Sequence, residues 1–412
     1  MRNVFDQYEQ PENRLTHALL TTLDQDRTLL IPFLHWLGIS DTPKLRALRI
    51  TEQQVPGLLQ LIDDTIEAKG LPDAAVFDDE SWAVLFESKV QARIGLGQVD
   101  RHRRTATRHG FDEPWMVPIS VDAMTSALPE RTIAKQWQEL YSWFNCRSPK
   151  SLWVKQFVDY MQVYERKQLL NNYDIRGTIT VFDGLRFDAD NPFTYREGKR
   201  LIRLLGDSLQ GRSDLKSIDV DPKGDRRPAI TGRGTEGVWD FLPLKVARGK
   251  PFTAYPHLTI GINRSRATAA VTVPNGVKGG FRKKLSAGGF EEFLTLMATL
   301  EKRLRSVVKR SVGAKPMIYI TQRHFRSQNS PAEVDARLEA DLRTAFNSHV
   351  GIRHQPQWLE AIYNILVKKR SNIQFGVEVQ FRYTCPRIQS PEAASLFAES
   401  WIALKPLIDF VV

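Results

Sequence analysis

Two acids and a lysine are spaced for chemistry between residues 72 and 89, where the sequence reads PDAAVFDDESWAVLFESK. Asp73 begins one apolar run, and Glu87 and Lys89 end a second run after a polar turn. A hairpin centred near Glu80 places Asp73 opposite Glu87, with facing Cβ atoms about 4.5–5.5 Å apart. Because side chains alternate along a strand, Glu87 and Lys89 share one face and Ser88 points away. Two carboxylates and an ammonium group then meet at one place, which suits a divalent cation and an attacked phosphodiester.

The Glu-x-Lys spacing alone is weak, since it occurs four times in the chain. The other copies begin at Glu67, Glu165 and Glu197. The first two of these lie in helical patterns, where residues two apart face different directions. The third spans a glycine and follows no apolar run. Only the copy at Glu87 ends a strand-like run and has a Pro-Asp pair 14 residues upstream, so it is the candidate for catalysis.

This hairpin resembles that of the PD-(D/E)xK nuclease superfamily, the restriction-endonuclease-like fold, and the resemblance covers roughly residues 9–125. Upstream, Glu12 lies on the apolar stripe of an amphipathic helix. Downstream, Gln98 and His102 lie one helical turn apart, similar to a Gln-x-x-x-Tyr element with histidine in place of tyrosine. A strand over residues 115–121 follows. The order of helix, strands, helix and strand is that of the superfamily core.

The resemblance implies an enzyme that uses Mg²⁺ or Mn²⁺. Asp73 and Glu87 would be direct ligands, with the backbone carbonyl of Ser88 as a third. Many superfamily members place a glutamate of the first helix near the metal, and here Glu12 would bind a second metal or orient a metal-bound water. Hard carboxylate and carbonyl oxygens are the ligands that Mg²⁺ prefers.

The same resemblance gives Lys89 the role of lowering the pKa of the attacking water or neutralising developing charge. Gln98 would position Lys89 or the substrate strand. Structural alternatives stay open for each residue: Asp73 starting a strand, Glu87 and Lys89 forming a surface ion pair worth under about 1 kcal/mol, and Glu12 and Gln98 lying outside any site. His102 is interpreted as a structural residue.

A net charge of +11 and a pI near 9.6 favour a polyanionic partner, most simply DNA. A helical pattern over residues 291–310 carries basic side chains off its apolar stripe, where they would contact phosphates. A second basic set lies on the helix that begins near residue 98. The predicted nucleic-acid-binding residues are Arg101, Arg104, Arg108, Lys302, Arg303, Arg305, Lys309 and Arg310.

Other classes of protein have no support in the sequence. Apolar runs are too short for a transmembrane helix, and the first residues lack the apolar region of a secretory signal. Two distant cysteines, Cys146 and Cys385, indicate neither a disulfide framework nor a zinc site, so a reducing cytoplasm is expected. The glycine-rich match at residues 232–237 lacks the strand and helix of a dinucleotide site, and no organic cofactor is predicted.

The chain is long enough for two or three domains, and the predicted class is α/β. A restriction-endonuclease-like core of helix, mixed central sheet and helix would fill residues 1–170, ending with helices over 131–144 and 151–168. Residues 171–412 would form an α+β domain that binds nucleic acid, senses a ligand or mediates assembly. Its predicted strands are 177–187, 257–262, 267–273, 315–325 and 372–383, its helices 291–310, 332–347, 358–369 and 391–404, and its long loop 207–237.

Two classes of function remain open at this stage. The first is a metal-dependent DNA nuclease, by analogy a prokaryotic anti-phage defence or restriction effector with partner proteins of such a system, and with a homodimer as one possible state. The second is a non-catalytic nucleic-acid-binding or scaffold protein that retains the fold. The intact set of Asp73, Glu87 and Lys89 favours the enzyme. An RNase differs from the first class only in its substrate.

Overall fold

The structure is a computed structural model of the 412-residue chain. It describes residues 4–5, 8, 10–53, 72–124, 127–170, 178–224, 226, 236–277, 280–327, 333–346, 351–368 and 372–412. The chain divides into two compact units, Met1–Val181 and Phe182–Val412. None of the helices formed by these described residues combines the length and apolar character needed to span a bilayer.

The first unit contains a mixed sheet between helices. Its helices are α1 Pro11–Gln25, α2 Leu30–Leu37, α3 Leu96–Arg108, α4 Trp137–Asn145 and α5 Leu152–Leu170. Its strands are β1 Arg49–Glu52, β2 Ala74–Phe77, β3 Ala83–Lys89, β4 Trp115–Ser120 and β5 Lys135–Gln136. The sheet order is β1-β2-β3-β4-β5, antiparallel from β1 to β3 and parallel from β3 to β5. The predicted α/β class with a mixed central sheet is confirmed.

Strand β3 is buried on both faces, which explains its continuous apolar sequence. Val84 and Phe86 belong to the large core that also contains Leu19 of α1. Leu85 points to the other face, in a smaller core with Val99 of α3. The alternation therefore places α1 and α3 on opposite faces of β3, and the polar end of the strand projects from between these two cores.

The predicted helix over 131–144 is wrong in its first part. Thr132 forms a parallel bridge with Met116, and Lys135–Gln136 extends the sheet as β5. The helix begins only at Trp137, because the Glu139 carboxylate accepts a hydrogen bond from the Gln136 backbone N–H at 2.7 Å and caps the first turn. The predicted helix over 151–168 is confirmed as α5.

The second unit contains a six-stranded antiparallel sheet in the order β10-β9-β11-β8-β7-β6. Its strands are β6 Gly237–Leu242, β7 His257–Asn263, β8 Arg266–Val273, β9 Lys315–His324, β10 Glu333–Asp341 and β11 Ile373–Arg382. Its helices are α6 Tyr195–Gln210, α7 Phe281–Arg310, α8 Gln357–Lys368, α9 Glu392–Ala403 and α10 Lys405–Val411. Helix α7 is interrupted at Gly289, whose φ of 72° is readily adopted only by glycine.

One face of this sheet is apolar and the other is polar. Ile260 of β7 and Val377 of β11 belong to a core shared with the helices. Trp401 of α9 lies on the same side, and its indole N–H donates to the Ala270 carbonyl at 3.0 Å. Residues of the alternate positions, such as Thr259, face away from this core.

Most predicted elements of the second unit are confirmed. The strand predictions at 257–262, 267–273, 315–325 and 372–383 correspond to β7, β8, β9 and β11, and the helix predictions at 291–310, 358–369 and 391–404 to parts of α7, α8 and α9. The strand predicted over 177–187 is wrong, since residues 178–187 form no strand. The loop predicted over 207–237 begins inside α6 and ends in β6, and residues 225 and 227–235 lie outside the described residues. The glycine-rich match therefore lies mostly outside them as well.

The helix predicted over 332–347 is also wrong, because Glu333–Asp341 is strand β10. Its sequence, EVDARLEAD, is rich in helix-forming Ala, Arg, Leu and Glu. Pairing with β9 from Met317 to His324 outweighs this preference, and the strand absorbs a register shift between Val334 and Ala336. The strand lies at the edge of the sheet, where charged side chains are common.

Candidate functional site

The β2–β3 hairpin brings Asp73 to Glu87. The register pairs Ala74 with Phe86, so the next pair outward is Asp73 with Glu87. The Asp73 carboxylate accepts a hydrogen bond from the Ser88 backbone N–H at 2.7 Å. The predicted juxtaposition of these two acids is therefore present in the structure.

The polar turn between the strands holds this register. The Asp78 carboxylate accepts hydrogen bonds from the backbone N–H groups of Glu80 at 3.1 Å and Trp82 at 2.9 Å. The Asp78 backbone N–H in turn donates to the Trp82 carbonyl at 3.1 Å. An aspartate that bonds its own turn in this way resists a slip of register, and a slip of one residue would turn Glu87 to the opposite face.

Glu87 is the centre of the site. Its side chain is only 1% exposed. Oε1 lies 2.9 Å from Lys89 Nζ and accepts a hydrogen bond from Gln98 Nε2 at 2.5 Å. Oε2 lies 3.0 Å from His102 Nε2. A buried carboxylate needs such partners, since an isolated buried charge is very costly, and here three side chains supply them.

Glu12 approaches the same place from α1. Its Oε1 accepts hydrogen bonds from the backbone N–H groups of Val90 and Gln91, both at 3.2 Å. Its Oε2 lies 3.5 Å from Lys89 Nζ. Lys89 therefore contacts a carboxylate of the first helix and a carboxylate of its own strand. On the strand's other face, the hydroxyl oxygens of Thr16 and Ser88 lie 2.7 Å apart and join α1 to β3.

The two acids of the hairpin differ in their electrostatics. Burial raises the pKa of Asp73 to about 6, and the Glu87 charge adds to the rise. Burial also acts to raise the pKa of Glu87, but the His102 hydrogen bond and the Lys89 charge outweigh it and hold that pKa below its ordinary value. Burial acts to lower the pKa of Lys89, and Glu87 more than reverses this effect. At neutral pH the site therefore holds an ionised Glu87 beside a protonated Lys89.

The donor chemistry of this site fits a hard divalent cation. Asp73, Glu87 and Glu12 supply carboxylate oxygens, and such oxygens are preferred by Mg²⁺. The raised pKa of Asp73 reflects burial and the nearby Glu87 charge, both of which a cation would offset. In the described part of the chain no three His, Cys, Asp or Glu side chains stand close enough together to hold a metal ion. The Lys89 ammonium group lies against the carboxylates of Glu12 and Glu87. In this arrangement it takes the position beside these two acids that a bound cation would need.

On helix α3, the residues that reach the site and the basic residues lie on opposite sides. His102, Val99 and Ala106 are buried on the side facing the sheet. The predicted phosphate-binding residues lie on the opposite side, all exposed: Arg101, Arg104 and Arg108. Their spacing of three, four and seven residues places them on one helix face.

The basic residues predicted on α7 are partly neutralised. Arg305 lies 2.8 Å from the Glu301 carboxylate, and Arg310 pairs with Glu399. Arg303 reaches the Ile402 carbonyl at 3.5 Å. Lys302 and Lys309 are exposed. Phosphate binding by this helix, which belongs to the second unit, stays a prediction.

Two residues of the site were missed by sequence reasoning. His102 was interpreted as structural, yet it contacts Glu87, and its four-residue spacing from Gln98 was the available signal because it sets both on one helix face. Thr16 had no signal, since its contact with Ser88 joins residues far apart in the chain.

Neither the models of known protein families nor the curated proteins contain a match to this chain. The functional conclusion therefore depends on the geometry of the cluster around Glu87. That geometry combines three carboxylates, one ammonium group and two side chains, Gln98 and His102, that hold the central carboxylate in place.

Proposed function

We propose that the first unit is a metal-dependent nuclease with a restriction-endonuclease-like core, hydrolysing phosphodiester bonds of DNA. The observation that carries the proposal is the convergence of Asp73, Glu87, Lys89 and Glu12 at the end of one hairpin. A mixed sheet with α1 on one face and α3 on the other supports the proposed fold.

Asp73 and Glu87, with the Ser88 carbonyl and Glu12, would hold Mg²⁺ or Mn²⁺. When bound, such an ion supplies an activated water and charge stabilisation for the attacked phosphate. Lys89 has its pKa raised, so it acts as a cation that neutralises charge on the phosphate rather than as a base.

Gln98 and His102 act on the reaction through Glu87. Each contacts a different oxygen of that carboxylate, at 2.5 Å and 3.0 Å, so together they set the plane of the group. Partners that orient a ligand carboxylate commonly matter for metal affinity. Both are therefore positioning residues in the proposed mechanism.

The exposed face of Arg101, Arg104 and Arg108 supports a polyanionic substrate. These side chains belong to the helix that also carries Gln98 and His102. Phosphate contacts there would hold the backbone of a duplex without reading its sequence. DNA is the proposed substrate because the net charge of +11 favours a long polyanion.

The test is cleavage by the purified full-length protein. Supercoiled, linear double-stranded and single-stranded DNA and a single-stranded RNA are incubated with MgCl₂, with MnCl₂ or with EDTA. We expect DNA cleavage with either metal and none in EDTA. Glu87→Gln keeps the size of the side chain but removes its charge, and should abolish cleavage.

The outcomes separate the alternatives. Cleavage of RNA but not DNA would make the protein an RNase. DNA binding without cleavage under any metal condition would favour the non-catalytic scaffold. Equal cleavage by Glu87→Gln and wild type, with both proteins folded by circular dichroism, would remove this site from the reaction.

A further inference from the structure

The polar face of the second unit's sheet forms a cleft of about 800 Å³. Residues from all six strands, β6 to β11, line it, together with the segment around Phe252. Sites for small organic ligands have volumes of about 300–1,000 Å³. The cleft is thus large enough for a ligand of the size of a nucleotide, and no residue of the proposed nuclease site contributes to it.

Two glycines on the floor of this cleft leave room for the side chains of neighbouring strands. A Cβ atom at Gly376 would lie 2.5 Å from the Tyr319 hydroxyl oxygen, and one at Gly261 would lie 2.4 Å from Thr268 Oγ1. Tyr319 therefore lies across the sheet over Gly376. Its hydroxyl oxygen lies 3.0 Å from Thr272 Oγ1. The floor is rigid and polar, unlike the apolar face packed on the helices.

One arginine that lines the cleft has a hydrogen-bonding atom without a protein partner. Nε of Arg323 is buried and has no hydrogen-bond partner among the described residues. Buried polar atoms are almost always satisfied in folded proteins. Arg323 lies beyond the Ile373 end of β11, whereas Arg266 lies opposite Arg382 at the other end of that strand. The unsatisfied Arg323 therefore indicates a place for an anionic ligand.

The charge of the cleft favours an anion. Arg266 and Arg337 both pair with Glu339. Within the described part of the chain Arg323 has no ion pair, and burial lowers its pKa. Burial raises the pKa of Glu378, the second acid of the cleft. The lining therefore has three arginines, Arg266, Arg323 and Arg337, and two acids, Glu339 and Glu378.

Aromatic rings lie near the anion-binding residues. The ring centroids of Trp239 and Phe252 are 6.5 Å apart, and the ring of Phe252 contacts that of His257 at 5.5 Å. Burial lowers the pKa of His257 to about 4, and the charge of Arg323 contributes to this lowering. His257 is therefore neutral, and Arg323 lies close enough to act on it.

Polar side chains of β11 complete the cleft. Gln374 and Glu378 line it, and the Glu378 carboxyl accepts a hydrogen bond from the Gln380 amide at 2.7 Å. Amide and carboxyl groups offer both donors and acceptors, as needed to pair with the edge of a heterocyclic base. An anionic group, a flat ring and a polar ring edge together define the matching ligand.

We propose that this cleft binds a nucleotide, with its phosphate on Arg323 and its base against the aromatic side chains of Trp239 and Phe252. The site takes a free mononucleotide rather than a strand of nucleic acid, because a cleft of about 800 Å³ matches a ligand of that size. The proposal is independent of the nuclease activity and does not require it.

The test is binding of nucleotides to the full-length protein, measured by calorimetry in EDTA so that no cleavage takes place. The probes are the four ribonucleoside monophosphates and triphosphates, adenosine, inorganic phosphate and an oligothymidine strand. We expect at least one nucleotide to bind more tightly than adenosine or phosphate. Arg323→Gln should weaken that binding about tenfold or more, since it removes a charge-assisted contact.

Matched variants keep the result specific. Arg323→Lys retains a cation and should bind better than Arg323→Gln if phosphate is recognised. Arg387→Gln removes an exposed arginine that pairs with Glu392 outside the cleft, and should leave binding unchanged. Glu87→Gln should also leave it unchanged, which separates this proposal from that of the nuclease. Binding of the oligothymidine alone, of no probe at millimolar concentration, or of nucleotide equally to folded Arg323→Gln would each overturn it.

Discussion

The acid–lysine cluster around Glu87 and the cleft around Arg323 both gather charged side chains in largely buried places, but they balance charge differently. In the cluster every acid has a partner: Glu87 contacts Lys89, and Asp73 accepts a backbone N–H. In the cleft, Arg323 lacks an ion pair among the described residues, and its Nε lacks a hydrogen bond there. The cluster brings three carboxylates to one ammonium group, whereas the cleft has an arginine without an acidic partner among the described residues.

This difference teaches what each region needs to function. In the proposed mechanism a cation has to compete with Lys89 for the carboxylates of the cluster, so cleavage should depend steeply on metal concentration. The cleft has an arginine without an ion pair among the described residues, so an anionic ligand has no protein acid to displace from it. The following predictions test these two descriptions, from the largest expected effect to the smallest.

The largest effect is expected for Lys89→Ala. Removing the one cation that lies against Glu87 and Glu12 should reduce DNA cleavage about 100- to 1,000-fold, as for loss of a group that stabilises transition-state charge. The measurement is the cleavage rate at saturating Mg²⁺. Lys155→Ala is the matched control, since Lys155 forms a 2.8 Å pair with Asp159 on the exposed side of α5. This variant should cleave DNA at the normal rate. Equal rates in the two variants would refute the role of Lys89.

The second prediction concerns pH and the cleft. The folded-state pKa of His257 is about 4, below the unfolded value near 6.5. His257 therefore contributes stability above pH 6.5 that is lost as the pH falls to 4, because the unfolded chain takes up the proton first. The loss should be about 3 kcal/mol. Unfolding free energies of wild type and His257→Phe are compared across this range.

Phenylalanine keeps a ring at position 257 that can contact Phe241 and Phe252 and cannot be protonated. The pH dependence of its unfolding free energy should be shallower than that of the wild type by this amount. Parallel curves would show that His257 gains its proton without unfolding, and would contradict the buried, neutral state described for the cleft.

The third prediction returns to the cluster. His102→Ala removes the partner of Glu87 Oε2 and should raise the Mg²⁺ concentration for half-maximal cleavage about 10- to 100-fold, the usual effect of losing a residue that orients a metal ligand. A purely structural role would lower the thermal stability without moving this concentration. His102→Gln retains a donor and should recover part of the metal affinity, whereas failure to recover any would favour the structural role.

The smallest effect is expected for the basic surfaces. Replacing Arg101, Arg104 and Arg108 together by Gln should reduce the slope of log affinity for DNA against log salt by about one unit per lost phosphate contact. Arg305→Gln on α7 should change the slope little, because Glu301 already neutralises that residue. The slopes are measured by fluorescence anisotropy. An unchanged slope in the triple variant would show that these arginines of α3 are ordinary solvated surface residues and do not contact phosphates.

Predictions from the sequence succeeded where an element depends on local contacts and failed where it depends on contacts distant along the chain. The hairpin was predictable because Asp73 and Glu87 lie within one turn and two strands, and its register follows from the turn at Asp78. Strand β10 was mistaken for a helix because its composition favours helix, and only pairing with β9 makes it a strand. Helix α6 was not predicted at all, although its Thr194 cap, which accepts from the Glu197 N–H, was a readable signal.

By itself, then, the sequence determined the mixed α/β class, the hairpin and the set of Asp73, Glu87 and Lys89, because strand alternation and a short turn are local properties of the chain. Tertiary structure alone decided that His102 and Glu12 reach the same cluster, since both come from helices packed on that strand. It also decided the cleft, whose lining residues are spread from Trp239 to Glu378. Their distance along the chain leaves no motif to read, and only the pairing of six strands brings them together.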